Sequence, residues 1–133
     1  MFPFIQSGNI IVIKPLAPVV LSLGDIIFSQ RSEKENAFIA HRLIKVQKGQ
    51  GGVKLLTKGD DLRYYDPPVS PEQVIGRVVR VERSGKFLAL TSWPWRIFGF
   101  IIAWFARGRY YNQGRVVRNL GRLWWIMGGR RIK

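Results

Sequence analysis

The sequence predicts a mainly β protein: a coiled or barrel-like antiparallel sheet followed by a short helical, basic C-terminal tail. Three observations carry this. Residues 1–92 hold about six short apolar segments with period-2 or β-branched character, separated by Gly and Pro turn signals. The connections between them are mostly local, as hairpins require. All five tryptophans lie in residues 93–133, together with nine Lys/Arg and no acid.

Taken in order, Asn9–Lys14 (NIIVIK) is apolar and β-branched, as a buried strand is. Asp25–Gln30 follows a Leu-Gly turn signal. Ala37–Gln47 alternates Phe38, Ala40 and Arg42 against Ile39, His41 and Leu43, which gives a longer strand two distinct faces. Gly49–Gly52 (GQGG) is a hairpin turn by composition, and Val53–Gly59 returns from it. Asp66–Val74 carries three prolines and cannot be a central strand. Within it, Ser70 before Pro71 marks a capped single turn. Gln73–Arg83 and Lys86–Thr91, joined by Ser84-Gly85, form the last hairpin.

The chain divides into two compositional regions. Residues 1–92 form the expected β domain with a net charge of +5, and residues 93–133 form a basic, aromatic, amphipathic tail with +9. The chain has no cysteine, which removes disulfides, thiolate zinc sites and a cysteine nucleophile. Thr91–Pro94 marks the boundary. No apolar run approaches the roughly 18–20 residues that span a bilayer; the longest, Ile97–Ala106, is about half that.

His41 is the one histidine. A single histidine in mid-strand is ordinarily structural, and it has no companions at metal-ligand spacing, so no metal and no cofactor are expected. Its company is what points to chemistry. The segment LTKGDDLRYYD follows one hairpin later and can bring Asp60 or Asp66 beside it. A carboxylate bonded to an imidazole fixes the tautomer and stabilises the imidazolium, which is how a general base for a hydroxyl nucleophile is built. Against this, Asp60 and Asp61 are also ordinary turn residues, and Asp66 an ordinary cap before Pro67.

The segments MFPFIQSGNIIVI, LSLGDIIFS, FIAHRLIKV, LLTKGDDLRYYD and VIGRVVRV resemble, in order and approximate spacing, those of the signal peptidase I family. The resemblance covers residues 1–83 and is nearest to the archaeal and endoplasmic-reticulum branch, which uses histidine as its base. It implies a signal-peptidase-like pseudo-barrel and a serine endopeptidase that processes extended signal or leader peptides at a membrane surface. His41 would be the base, and Asp60 or Asp66 its orienter. Met1 and Pro3 would be substrate-binding residues of the first box, Ser-Met-x-Pro. The motif serine would immediately precede Met1, so the expected nucleophile belongs to sequence in front of the first residue. Ser7, Ser22 and Ser29 do not occupy the motif position. The alternative expectation is an inactive relative that holds a peptide or partner as an added strand. A related self-cleaving repressor-type peptidase would want lysine at position 41.

The tail carries a further expectation. Segments about Trp95–Ala106 and Arg115–Met127 have helical character, the second with Val116, Leu120, Leu123 and Trp124 along one stripe. Tryptophan interleaved with arginine suits peripheral association with an anionic membrane surface. Ordinary packing on the body and nucleic-acid binding are the rivals. Nucleic acid is not the expected partner, because residues 97–106 are too apolar and no nucleic-acid motif is present.

Overall fold

A computed structural model describes residues 5–15, 20–32, 36–107 and 130–131. Its centre is one antiparallel sheet. The strands are β1 (Ile10–Lys14), β2 (Ile26–Ser32), β3 (Ala37–Gly49), β4 (Gly52–Lys58), β5 (Val74–Arg83), β6 (Lys86–Ala89) and β7 (Arg130–Arg131), with helix α1 (Trp93–Ala106) after β6. The order across the sheet is β4-β3-β2-β5-β6-β7, and β1 pairs with the long β5. The fold is mainly β, as the alternation predicts. The sheet is open and is not closed into a barrel. Its two ends are β4 and the two-residue β7, which do not pair with each other.

Local chemistry sets the turns. Ser84 and Gly85 both have positive φ, 48° and 73°, the mirror-image turn whose twist suits a two-residue hairpin. The β3–β4 hairpin closes on the pair Gly49–Gly52. Pro71–Gln73 forms a single 3-10 turn, and the Ser70 N–H donates to Gln73 Oε1 at 2.9 Å, as a capped turn requires.

The sheet buries both faces, so consecutive strand residues serve different cores. Ile26, Val78, Val81, Leu88, Trp95 and Ile102 form one core beneath α1. Ile27, Leu43, Leu55 and Val69 form the other. Two bulges adjust the alternation. Val79 is passed over in the β1–β5 register, so Val78 and Val81, three apart, both reach the first core. Ile44 is passed over in the β3–β4 register and packs with Ala103 and Ala106 of α1.

The turn between β6 and α1 falls at the compositional boundary, yet α1 is not set apart from the sheet. Trp95, Gly99, Ile102, Ala103 and Ala106 are its buried residues. Gly99 approaches Gly24 so closely that a Cβ on Gly99 would stand 2.8 Å from the Gly24 carbonyl oxygen. β7 was not expected, because two arginines give no strand signal on their own. The expected helix over 115–127 lies outside the described residues.

Candidate active site

His41 and Arg42 are neighbours on β3 and therefore face opposite ways. Register shows where each goes. His41 pairs with Ile27 of the second core, and Arg42 pairs with Ile26 of the first. Each is met by a different aspartate.

On the first face, Arg42 Nε and Nη2 donate to Asp60 Oδ1 and Oδ2 at 2.8 and 2.7 Å. Arg42 Nη1 donates to the Gly24 carbonyl at 2.7 Å. The pair is almost wholly enclosed, with side-chain exposures of 5% and 1%. This is a fork-to-fork clamp that fixes the Gly24 turn under α1. Asp60 is committed to Arg42 and is not the acid beside His41.

On the second face, His41 Nδ1 lies 2.6 Å from Asp66 Oδ2. The same oxygen accepts a hydrogen bond from Thr57 Oγ1 at 2.7 Å. Of the two aspartates that spacing leaves open, Asp66 is the one that engages the imidazole. The chain segment that delivers it is pinned back along β4. The Asp66 N–H donates to the Thr57 carbonyl, and Leu55 and Val69 exchange backbone hydrogen bonds. Pro67 and Pro68 follow directly and restrict the backbone between these two anchors. Asp66 is thus held through its backbone and its side chain at once.

The electrostatics follow from these contacts. Burial pushes the Asp66 carboxyl upward. Hydrogen bonds from His41 and Thr57, and the charges of His41 and Arg31, outweigh it and hold the group below its ordinary value of 3.8. An ionised Asp66 accepts a hydrogen bond from Nδ1–H, which leaves the lone pair of the neutral ring on Nε2. Gly59, one residue beyond β4, lies against that nitrogen: a Cβ at position 59 would be 3.3 Å from His41 Nε2. The His41 side chain keeps 17% of its surface exposed, so the site is recessed but not sealed.

Thr57 is the member that sequence reading misses. It is fully buried, opposite Leu43 on β4. The available signal is the period of two: Thr57 and Leu55 share a face, and that face is the one His41 shares with Leu43. Among the serines, Ser7 is exposed and Ser22 donates its N–H to Asp25 Oδ2. Ser29 is buried on the face of His41, and its Oγ has no hydrogen-bond partner among the described residues. None of the three is bonded to the imidazole. Met1 and Pro3 lie outside the described residues. Among the described residues no group of three or more His, Asp or Glu could hold a metal ion. No protein-family model, no curated protein and no solved structure matches this chain.

Proposed function

We propose that His41, Asp66 and Thr57 form the base half of a serine endopeptidase site of the signal peptidase I type. The substrate class is an extended peptide. The observation that carries this reading is the 2.6 Å contact between His41 Nδ1 and an Asp66 carboxylate that Thr57 fixes. The order of sequence segments supports it independently.

The nucleophile in this reading is the serine of the family's Ser-Met-x-Pro box, supplied in the test below by a serine placed before Met1. Its hydroxyl oxygen attacks the scissile carbonyl carbon while His41 Nε2 takes the hydroxyl proton. Asp66 remains ionised and stabilises the imidazolium that forms. The imidazolium then gives its proton to the departing amine, and the C–N bond breaks. Water, activated by the same nitrogen, hydrolyses the acyl ester and regenerates the hydroxyl. Asp60 takes no part, and its role is to hold Arg42 and the Gly24 turn.

The test is cleavage of an extended peptide library by the chain carrying serine immediately before Met1. The serine-extended chain cleaves, and the alanine-extended chain does not. His41→Ala lowers the rate by about 10⁴–10⁶-fold, the range that losing one member of a catalytic triad spans. Cleavage that survives His41→Ala at full rate removes the imidazole from the mechanism. If the serine-extended chain binds peptide but never cuts it, the protein is the binding relative.

A further inference from the structure

Helix α1 is apolar on two opposite sides. Its buried residues, 95, 99, 102, 103 and 106, follow the spacing i, i+4, i+7, i+8, i+11. Trp93, Ile97, Phe100, Ile101 and Trp104 repeat that spacing two positions earlier and lie on the outward side. Trp93 is 74% exposed and Trp104 61% exposed. A stripe of large apolar groups presented to water marks an interaction surface. Arg96 and Arg107, both exposed, run along one flank of the stripe. Arg107 donates its Nε to the Ile44 carbonyl, and its terminal nitrogens have no hydrogen-bond partner among the described residues.

We propose that this outward face lies flat on an anionic lipid bilayer, with its rings at headgroup depth and Arg96 and Arg107 against lipid phosphate. The inference does not rest on the imidazole–carboxylate reading. Two features favour lipid as the occupant, and two rivals fit less well. The stripe ends in tryptophans and is flanked by arginines, the pairing that suits the membrane interface. Charge complementarity points the same way, since residues 93–133 contain nine cations and no acid. A second copy of the chain is a poor cover, because pairing this face with itself sets arginine against arginine, and the acid beside the stripe, Asp25, is already paired with Arg77. Nucleic acid is also a poor cover, because the face sets only two cations, Arg96 and Arg107, beside five large apolar groups. The helix has 14 residues. At 1.5 Å per residue it is about 21 Å long, short of the roughly 30 Å hydrocarbon layer. It therefore lies along the surface and does not cross.

The test uses the whole chain and phosphatidylcholine vesicles with and without phosphatidylglycerol. The chain co-floats with the anionic vesicles and far less with the neutral ones. The double variant Ile97→Glu, Phe100→Glu loses more than about tenfold in partitioning while its thermal unfolding is unchanged, because both side chains are exposed. The absence of cysteine permits a second measurement on a chain with a single substitution. A spin label at Phe100→Cys moves into a lipid environment on anionic vesicles, whereas a label at the exposed, acidic Glu72→Cys position stays in water. The proposal is overturned if the double variant floats as well as the parent, or if the Phe100 label senses no lipid. It is equally overturned if that label is already shielded in the free chain, which would make the chain its own cover. It also fails if the double variant only converts a dimer to a monomer.

Discussion

The functional reading turns on two adjacent residues that a strand sends in opposite directions. His41 is a base candidate because Asp66 meets it, and Arg42 is a structural clamp because Asp60 meets it. The two aspartates therefore respond differently to substitution. Replacing Asp60 with alanine takes away the carboxylate that meets Nε and Nη2 of the buried Arg42 guanidinium, and destabilises the fold by about 3–5 kcal/mol, read by urea unfolding. Replacing Asp66 with asparagine leaves most of the stability and lowers cleavage by the serine-extended chain by about 10²–10⁴-fold, because the imidazole loses its tautomer and its counter-charge. Gly59→Ala meets the half-exposed Leu62 side chain first, at 2.9 Å, and displaces it, then crowds His41 Nε2 at 3.3 Å, which costs about 10²-fold in the same assay. The pH dependence of stability has a definite sign. The folded-state value of Asp66 is depressed, so its contribution is fully present above the unfolded-state value near pH 4 and is lost as pH falls through the lowered folded-state value. Unfolding measured across that acid range shows the slope in the parent, and Asp66→Asn flattens it. How much of this was legible beforehand is clear residue by residue. His41 and a nearby acid were readable from spacing; the choice of Asp66 over Asp60 was not. That choice depends on where the chain after β4 turns, and no local pattern encodes the turn. The period of two puts Thr57 on the face of His41, but nothing local marks it as a partner of Asp66, since a strand threonine looks like any other β-former.

At the scale of elements, the strands were legible because alternation and β-branching are local properties. The hairpins were legible because Gly49–Gly52 and Ser84-Gly85 have turn chemistry. α1 was legible as a helix, but its seat was not, because its inward and outward stripes share one spacing and differ only by an offset of two residues. What selects the inward stripe is small size: Gly99, Ala103 and Ala106 let the helix backbone come down onto the sheet, and the outward stripe has no such residues. This makes Gly99 a sensitive position. A Cβ there would stand 2.8 Å from the Gly24 carbonyl oxygen and 2.9 Å from Arg42 Nη1. Gly99→Leu therefore lifts the helix or displaces the Arg42–Asp60 clamp, and lowers stability by about 1–3 kcal/mol or more, the usual range for overpacking. Thermal denaturation followed by circular dichroism checks this. Whether the sheet closes was not legible at the same scale. Six short strands with local connections fit an open or a closed sheet equally well, and closure is decided by shear and end-to-end pairing.

Across the whole molecule, one sheet supports two faces with different work. One side carries α1, the Arg42–Asp60 clamp and the exposed apolar stripe. The other carries His41, Asp66 and Thr57 over the second core. Trp95 belongs to the first core, so the helix and the sheet should unfold together: tryptophan emission and far-ultraviolet circular dichroism should give one coincident transition in urea. Trp95→Ala costs about 3–5 kcal/mol in that transition. The account depends most on the sheet bringing β3 and the segment after β4 together, so that an aspartate fixes the tautomer of the imidazole. Because His41 is the one histidine, a long-range nitrogen–proton correlation spectrum of the neutral ring reports on it without ambiguity. The account predicts an Nδ1-protonated ring in the parent and in the exposed-site control Asp61→Asn, and loss of that tautomer in Asp66→Ala. An Nε2-protonated ring in the parent, or a spectrum that ignores Asp66→Ala, would contradict it.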